Sequence, residues 1–130
     1  MKTLFSKIIA GEIPCHFLYQ SEQFFSFLDI RPIRMGHALV VPKNQKDYVF
    51  EQNDEVLRGM LPFAKLVGEA IEKEVQCERI GLSILGLEVP HTHLHLVPIS
   101  EGQLIDFSVA KEANSEDLAN LAKSIRRHLG

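Results

Sequence analysis

The chain has 130 residues, 45% of them apolar and 24% charged, enough to bury the core of one ordinary domain. That balance excludes a disordered acidic tail, a collagen-like repeat and a disulfide-dense miniprotein. The net charge of −3 leaves no electrostatic footprint for nucleic acid or an anionic membrane, and no apolar run reaches the roughly eighteen residues of a membrane span.

Taken in chain order, residues 3–10 place Leu4, Phe5, Ile8 and Ile9 on one helical stripe, with Gly11 as the stop. Lys7 and Glu12 interrupt the apolar stretch, so the N-terminus reads as mature structure of a cytoplasmic protein rather than as a signal peptide. Extended structure begins after Pro14, and residues 16–19 and 24–28 read as two strands around a polar turn at 20–23. Residues 29–36 carry turn chemistry, and 37–41 read as a third strand ending at Pro42.

The longest helical pattern runs from about Asn53 to Val75. Asn53 or Asp54 caps it, and Val56, Leu57, Met60, Leu61, Ala64, Val67, Ala70, Ile71 and Val75 build its apolar face. Pro62 falls inside the pattern and predicts a kink or a late start to the regular helix. Residues 80–85 and 91–99 read as strands. A last helix opens at Ser115 with Glu116 and Asp117 in its first turn and ends with Arg126, Arg127 and His128, the polarity a helix dipole favours. Short links between the first strands favour antiparallel pairing, so the fold class is α+β: five strands, one long helix and short helices at both ends. The chain reads as a single domain over 1–130, with a core of about 3–100 and a C-terminal extension carrying a helix at about 115–129. Cys15 and Cys77 lack a CxxC partner, which points to free thiols in a reducing compartment.

The segment that carries chemistry is His91-Thr92-His93-Leu94-His95. In a strand the three imidazoles point one way, while Thr92, Leu94 and Leu96 point the other and pack beneath the long helix. With 6 histidines in 130 residues, such a run arises by chance on the order of once per hundred chains. Three readings compete: histidines tolerated on a solvated sheet face, a metal site, and a phosphate site in which near-neutral imidazoles supply a nucleophile and donors. Same-face positions on one strand lie about 7 Å apart, and no nearby Asp or Glu completes a metal set.

The run resembles the H-φ-H-φ-H-φ-φ signature of the histidine triad (HIT) superfamily of nucleotide hydrolases and transferases. The resemblance extends to residues 4–14 (LFSKIIAGEIP), 27–32 (FLDIRP) and 36–43 (GHALVVPK), in the order and spacing of its Hint-like branch. It spans residues 3 to about 100 and leaves the tail from Glu101 unaccounted for.

The resemblance implies a five-stranded antiparallel sheet per subunit, two subunits joining into a ten-stranded sheet as a homodimer. It also implies attack on the α-phosphate of a purine nucleoside 5′-phosphoramidate or related conjugate through a covalent nucleotidyl-histidine, with no cofactor. His93 is the implied nucleophile. A neutral imidazole needs no separate base and leaves readily from its own phosphoramidate. His91 and His95 are expected to donate to the non-bridging oxygens, and His37 to hydrogen-bond the triad from the neighbouring strand. Asp29 matches the ribose-binding acid, and Phe5, Ile8, Phe27 and Ile30 match the nucleobase slot.

Departures from the family pattern fall just before the triad. Leu87 stands where relatives carry an amide of Gln, which weakens a reading as a dinucleoside polyphosphate hydrolase. Glu88 stands where relatives have Ser or Thr, and is expected to act as a general acid whose proton is held near the phosphate. Some relatives hold structural zinc through two Cys and two His; the matching places here are Thr3, Ser6 and Gln45, so no metal is expected. The other readings kept open are a nucleotide-binding module with little turnover and a metal-dependent enzyme using the same histidines. Phe107 in the tail is a further residue that would reach the site if the tail covers it.

Overall fold

A computed structural model describes residues 1–130. Its elements are α1 (Leu4–Ile9), β1 (His16–Gln20), β2 (Phe24–Leu28), β3 (Ala38–Pro42), α2 (Asp54–Glu74), β4 (Arg79–Ser83), β5 (Leu94–Ile99) and α3 (Ser115–Arg126), with 3₁₀ turns at Val49–Glu51 and Phe107–Val109. The five strands form one antiparallel sheet in the order β1-β2-β3-β5-β4.

The period-two pattern of the strands sends alternate residues to two different cores. Leu18, Phe24, Leu28, Ala38, Val40, Leu94 and Leu96 face α2 and α3, where they meet Met60, Phe63, Val67 and Ile71. Phe25, Phe27, Leu39 and Val41 face the other way and pack with Phe5 and Ile8 of α1. Each fully buried aliphatic or aromatic side chain contributes roughly 1.5–3 kcal/mol.

Helix α1 is only six residues long and depends on its cap. The Thr3 hydroxyl accepts from the Ser6 N–H at 3.0 Å, and the Thr3 N–H donates to the Ser6 hydroxyl at 3.1 Å. Helix α2 is capped by Asn53, whose side chain accepts from Val56 N–H at 2.9 Å. It runs unbroken through Pro62, so the late start expected there does not occur. Pro62 lies on the exposed side, beside Leu61, which is 62% exposed rather than part of the buried face; Phe63 takes the buried position instead.

The sheet has two edges. At β1 the register shifts between Phe17 and Tyr19, and Arg126 of α3 donates to the Phe17 carbonyl at 2.7 Å. At β4 nothing pairs with the outer side. The tail from Glu101 returns across the sheet end: Arg34 donates to the Leu104 carbonyl, Arg31 to the Ala110 carbonyl, and Ala113 N–H to the Ile30 carbonyl. No helix is long and apolar enough to cross a membrane.

Candidate active site

The strand expected over residues 91–99 begins at Leu94, so only His95 of the three histidines lies within it. The pairing of β3 with β5 ends at Val40 and Leu94 because the preceding backbone is bonded elsewhere. His91 N–H donates to the Val89 carbonyl at 2.8 Å and Thr92 N–H to the Lys46 carbonyl at 2.7 Å. The Thr92 hydroxyl donates to the Lys46 carbonyl at 2.9 Å and accepts from Gln52 Nε2 at 3.0 Å. The loop after β3 thus takes the groups that a strand ladder would have used, yet the three imidazoles still lie on the α1 side of the sheet, His91 and His93 both against Phe5 and His93 against His95.

His91 departs furthest from expectation. It is fully buried, its Nδ1 lies 2.8 Å from the Thr3 hydroxyl and its Nε2 lies 2.7 Å from the Pro42 carbonyl. Both ring nitrogens are engaged, so this ring has no donor left for a phosphoryl oxygen. Its backbone carbonyl acts instead, accepting from His93 Nδ1 at 2.7 Å. A carbonyl only accepts, so the His93 proton sits on Nδ1 and the lone pair on Nε2.

The other flank is a relay of protons. Ile33 N–H donates to His37 Nδ1 at 3.0 Å, which places the proton of neutral His37 on Nε2. That Nε2 lies 2.9 Å from His95 Nδ1, so it donates there and leaves His95 with its proton on Nε2. Burial keeps both rings neutral: it pulls His37 down to about 4 and His95 down to about 3, the latter helped by the neighbouring His37 and His93. Gly36 makes this arrangement reachable. Its φ of +100° turns the chain into β3, and a Cβ there would meet Val75 at 2.9 Å and Pro98 at 3.0 Å.

Two cavities meet at these rings. One, of about 220 Å³, is lined by Phe5, Ile8, Phe27 and Ile30, with Asp29 and His93 at its mouth. All four apolar residues expected for a base slot are therefore brought together. The other, of about 430 Å³, is lined by Arg31, Leu87, Glu88, His93, His95 and Phe107. Asp29, Glu88, His93 and His95 belong to both.

Asp29 Oδ1 accepts from the Arg31 N–H at 2.9 Å, and Oδ2 lies 3.6 Å from His37 Nε2. Burial raises its carboxyl above its ordinary value, against the lowering by the Arg31 N–H and the charges of His93 and Arg31. Glu88 is exposed at the junction of the cavities, and Leu87 is 91% exposed and offers no polar atom. Phe107 stands edge-on to His95 with ring centroids 4.6 Å apart, so the tail does close one side of the site. Arg31, Thr3 and the Pro42 carbonyl are contributors that the sequence pattern does not mark as polar partners of the site. For Thr3 the one visible signal is its capping box with Ser6.

Asp29, His37 and His95 bring one ligand atom each to within 4.8 Å of one another. They do not form a cation site, because His37 and His95 spend the facing nitrogens on each other. At Thr3, Ser6 and Gln45, the places that match zinc ligands of some relatives, the donors are two hydroxyls and a side-chain amide. That set does not fit zinc, which takes thiolate, imidazole or carboxylate ligands.

Similarity to known proteins follows the same residues. The chain is 35% identical to Protein hit of Bacillus subtilis, over 97% of this chain and 93% of that protein. It is 33% identical to adenosine 5′-monophosphoramidase HNT1 of Saccharomyces cerevisiae, over 94% of this chain and 79% of that protein. Among solved structures, a zinc-bound histidine triad family protein from Mycobacterium smegmatis superposes with a TM-score of 0.85 at 27% identity, covering 99% of this chain and 94% of that one. The family model for the HIT domain matches residues 10–102, which take in Asp29, His37 and every histidine of the run, and on that match the chain belongs to the HIT family.

Proposed function

We propose that this chain hydrolyses a purine nucleoside 5′-phosphoramidate or a related nucleotide conjugate by way of a nucleotidyl-His93 intermediate. The observation that carries the reading is the 2.7 Å contact of His93 Nδ1 with the His91 carbonyl, which frees Nε2 at the mouth shared by two cavities. The nucleoside occupies the apolar cavity, with Asp29 accepting from the ribose hydroxyls, and the leaving group occupies the larger one. His93 Nε2 attacks the α-phosphorus, and the bond to the leaving amine breaks as Glu88 protonates that amine. His95 Nε2–H donates to a non-bridging oxygen as charge builds there. Water then attacks the phosphorus with its proton passing to Glu88, the P–N bond to His93 breaks, and the neutral imidazole returns. The yeast relative is an adenosine 5′-monophosphoramidase, which supports this substrate class.

Two copies joining through β4 and α2 complete the reading. The groove there is lined by Leu61, Gly68, Ile80 and Leu82, and Leu61 and Leu82 are exposed. Sedimentation should show a dimer. Both cysteines are free thiols, in keeping with a cytoplasmic, reducing setting.

One observation favours a second reading, a nucleotide-binding module with little turnover: Leu87 brings no hydrogen-bonding group to the larger cavity. Intact mass after brief incubation with adenosine phosphoramidate, together with AMP release, separates the two. Wild type should show the adduct or rapid AMP release, and His93→Gly should lose both by at least about 10³-fold. Tight nucleotide binding with neither adduct nor AMP in wild type would establish the binding module instead. Turnover abolished by a strong chelator would overturn the metal-free mechanism.

A further inference from the structure

The buried end of the loop after β3 and the start of α1 are joined by one continuous chain of hydrogen bonds. The Thr3 and Ser6 hydroxyl oxygens also lie 2.8 Å apart within it. Because the Pro42 carbonyl occupies His91 Nε2 at 2.7 Å, that nitrogen carries the proton and Nδ1 is bare. Burial, the largest influence on the ring, lowers its pKa and keeps it neutral. The Thr3 hydroxyl, 2.8 Å away, therefore donates to Nδ1. Its oxygen accepts from Ser6 N–H at 3.0 Å, and Ser6 Oγ accepts from Thr3 N–H at 3.1 Å. The Ser6 hydroxyl then donates to Gln45 Oε1, which also accepts from Thr3 N–H at 3.4 Å.

Thr3 and His91 are buried, whereas Gln45 is exposed and closes the outer end. The ring of His91 is thus held at both nitrogens, and a held ring fixes the backbone of its own residue. The carbonyl of that residue is the acceptor for His93 Nδ1.

We infer that Thr3, Ser6 and Gln45 form a positioning network that sets the tautomer of His93 through His91, a hydrogen-bonded replacement for a metal centre at this place. The inference rests on His93 being the nucleophile. None of the three residues touches substrate; they act by keeping the Nε2 lone pair available. A side chain that merely completed the α1 cap would stabilise the helix and leave the imidazole of His93 indifferent to its loss.

The two roles are separable by long-range ¹H–¹⁵N correlation spectra of the imidazoles, read alongside the rate of adduct formation. Wild type and Thr3→Ser should both show the His93 proton on Nδ1. Thr3→Val, of nearly the same shape, should show mixed tautomers, and adduct formation should slow about tenfold or more with KM little changed, since misplacing a reacting group acts on the chemical step. Lys7→Gly, on the exposed side of α1 and outside the network, should lower the melting temperature and leave the tautomer untouched. If Thr3→Val does not fold, Gln45→Leu at the exposed end should shift the tautomer in the same direction by a smaller amount.

Retention of the Nδ1–H form in both Thr3→Val and Gln45→Leu would overturn the inference. So would an equal shift in Lys7→Gly, which would assign the effect to helix stability. Stoichiometric binding of added zinc by wild type, with movement of the His91 signals, would overturn it as well. Should wild type form no adduct, the proposed hydrolysis falls while the tautomer comparison still decides this inference.

Discussion

The two flanks of His93 solve the same problem with different materials. On one side His91 is sealed in, both nitrogens occupied, and only its backbone carbonyl reaches His93. On the other, His95 gives one nitrogen to His37 and keeps the second as an N–H at the cavity wall. The pattern of alternating histidines hides this difference, because identical residue types sit at equal spacing. A carbonyl can only fix a proton, whereas an oriented N–H can fix a proton and also meet developing negative charge. In the proposed hydrolysis the first flank prepares the attack and the second stabilises what the attack creates.

Of the changes that leave His93 itself in place, the largest expected effect breaks the second flank. His95→Phe should reduce turnover by about 10²–10³-fold, the usual cost of one oxyanion donor, while nucleotide affinity changes little. An equal loss in kcat and affinity would place His95 in ground-state binding instead.

Acid sharpens the comparison next. His37 and His95 have folded values near 4 and 3, below the ordinary 6.5, so the unfolded chain binds more protons between those limits. Their contribution is complete above about pH 6.5 and is lost as pH falls toward 4 and then 3. Each tenfold difference in proton affinity between the folded and unfolded chain corresponds to about 1.4 kcal/mol, so several kcal/mol of stability should disappear over that window. Thermal melts from pH 7 to 4 should follow this slope in wild type, and His37→Gln should flatten it.

Asp29→Asn should raise KM about tenfold for a ribonucleotide conjugate and much less for the 2′,3′-dideoxy analogue, because only the former offers hydroxyls to the carboxylate. The smallest effect is expected at Glu88, which is exposed, so that water can stand in for part of its proton transfer. Glu88→Gln should lower turnover by about fivefold with a poor leaving group and scarcely at all with a good one. Full turnover from about pH 5 to 8 with both would remove Glu88 from the proton transfer.

Much of this arrangement is legible in the chain before it folds. The helix over residues 3–10, the Asn53 cap of α2 and the strand at 24–28 follow from periodicity and capping chemistry, and the structure places them within a residue or two of expectation. Asp29, Phe5, Ile8, Phe27 and Ile30 converge on one cavity. The strand expected over residues 91–93 fails for a reason that lies outside that segment. Whether residues 91–93 join the ladder depends on a competing loop, 42–52, whose carbonyls and Gln52 amide capture that backbone and Thr92. Such competition between distant segments leaves no local period to read. Pro62 fails as a warning for a simpler reason: one missing N–H on the solvent side of a 21-residue helix is tolerated when the opposite side packs continuously.

The clasp of Arg126 on the Phe17 carbonyl bears on how copies of this chain can assemble. A sheet with two free borders invites addition at both, and each added copy presents a fresh border to the next, the geometry of a growing fibre. Here one border is kinked and has a carbonyl already taken by a guanidinium, while the other is bare. Addition at the bare border alone stops after a single partner. In the proposed dimer the C-terminal helix, remote from the imidazoles, is the element that would close the second border.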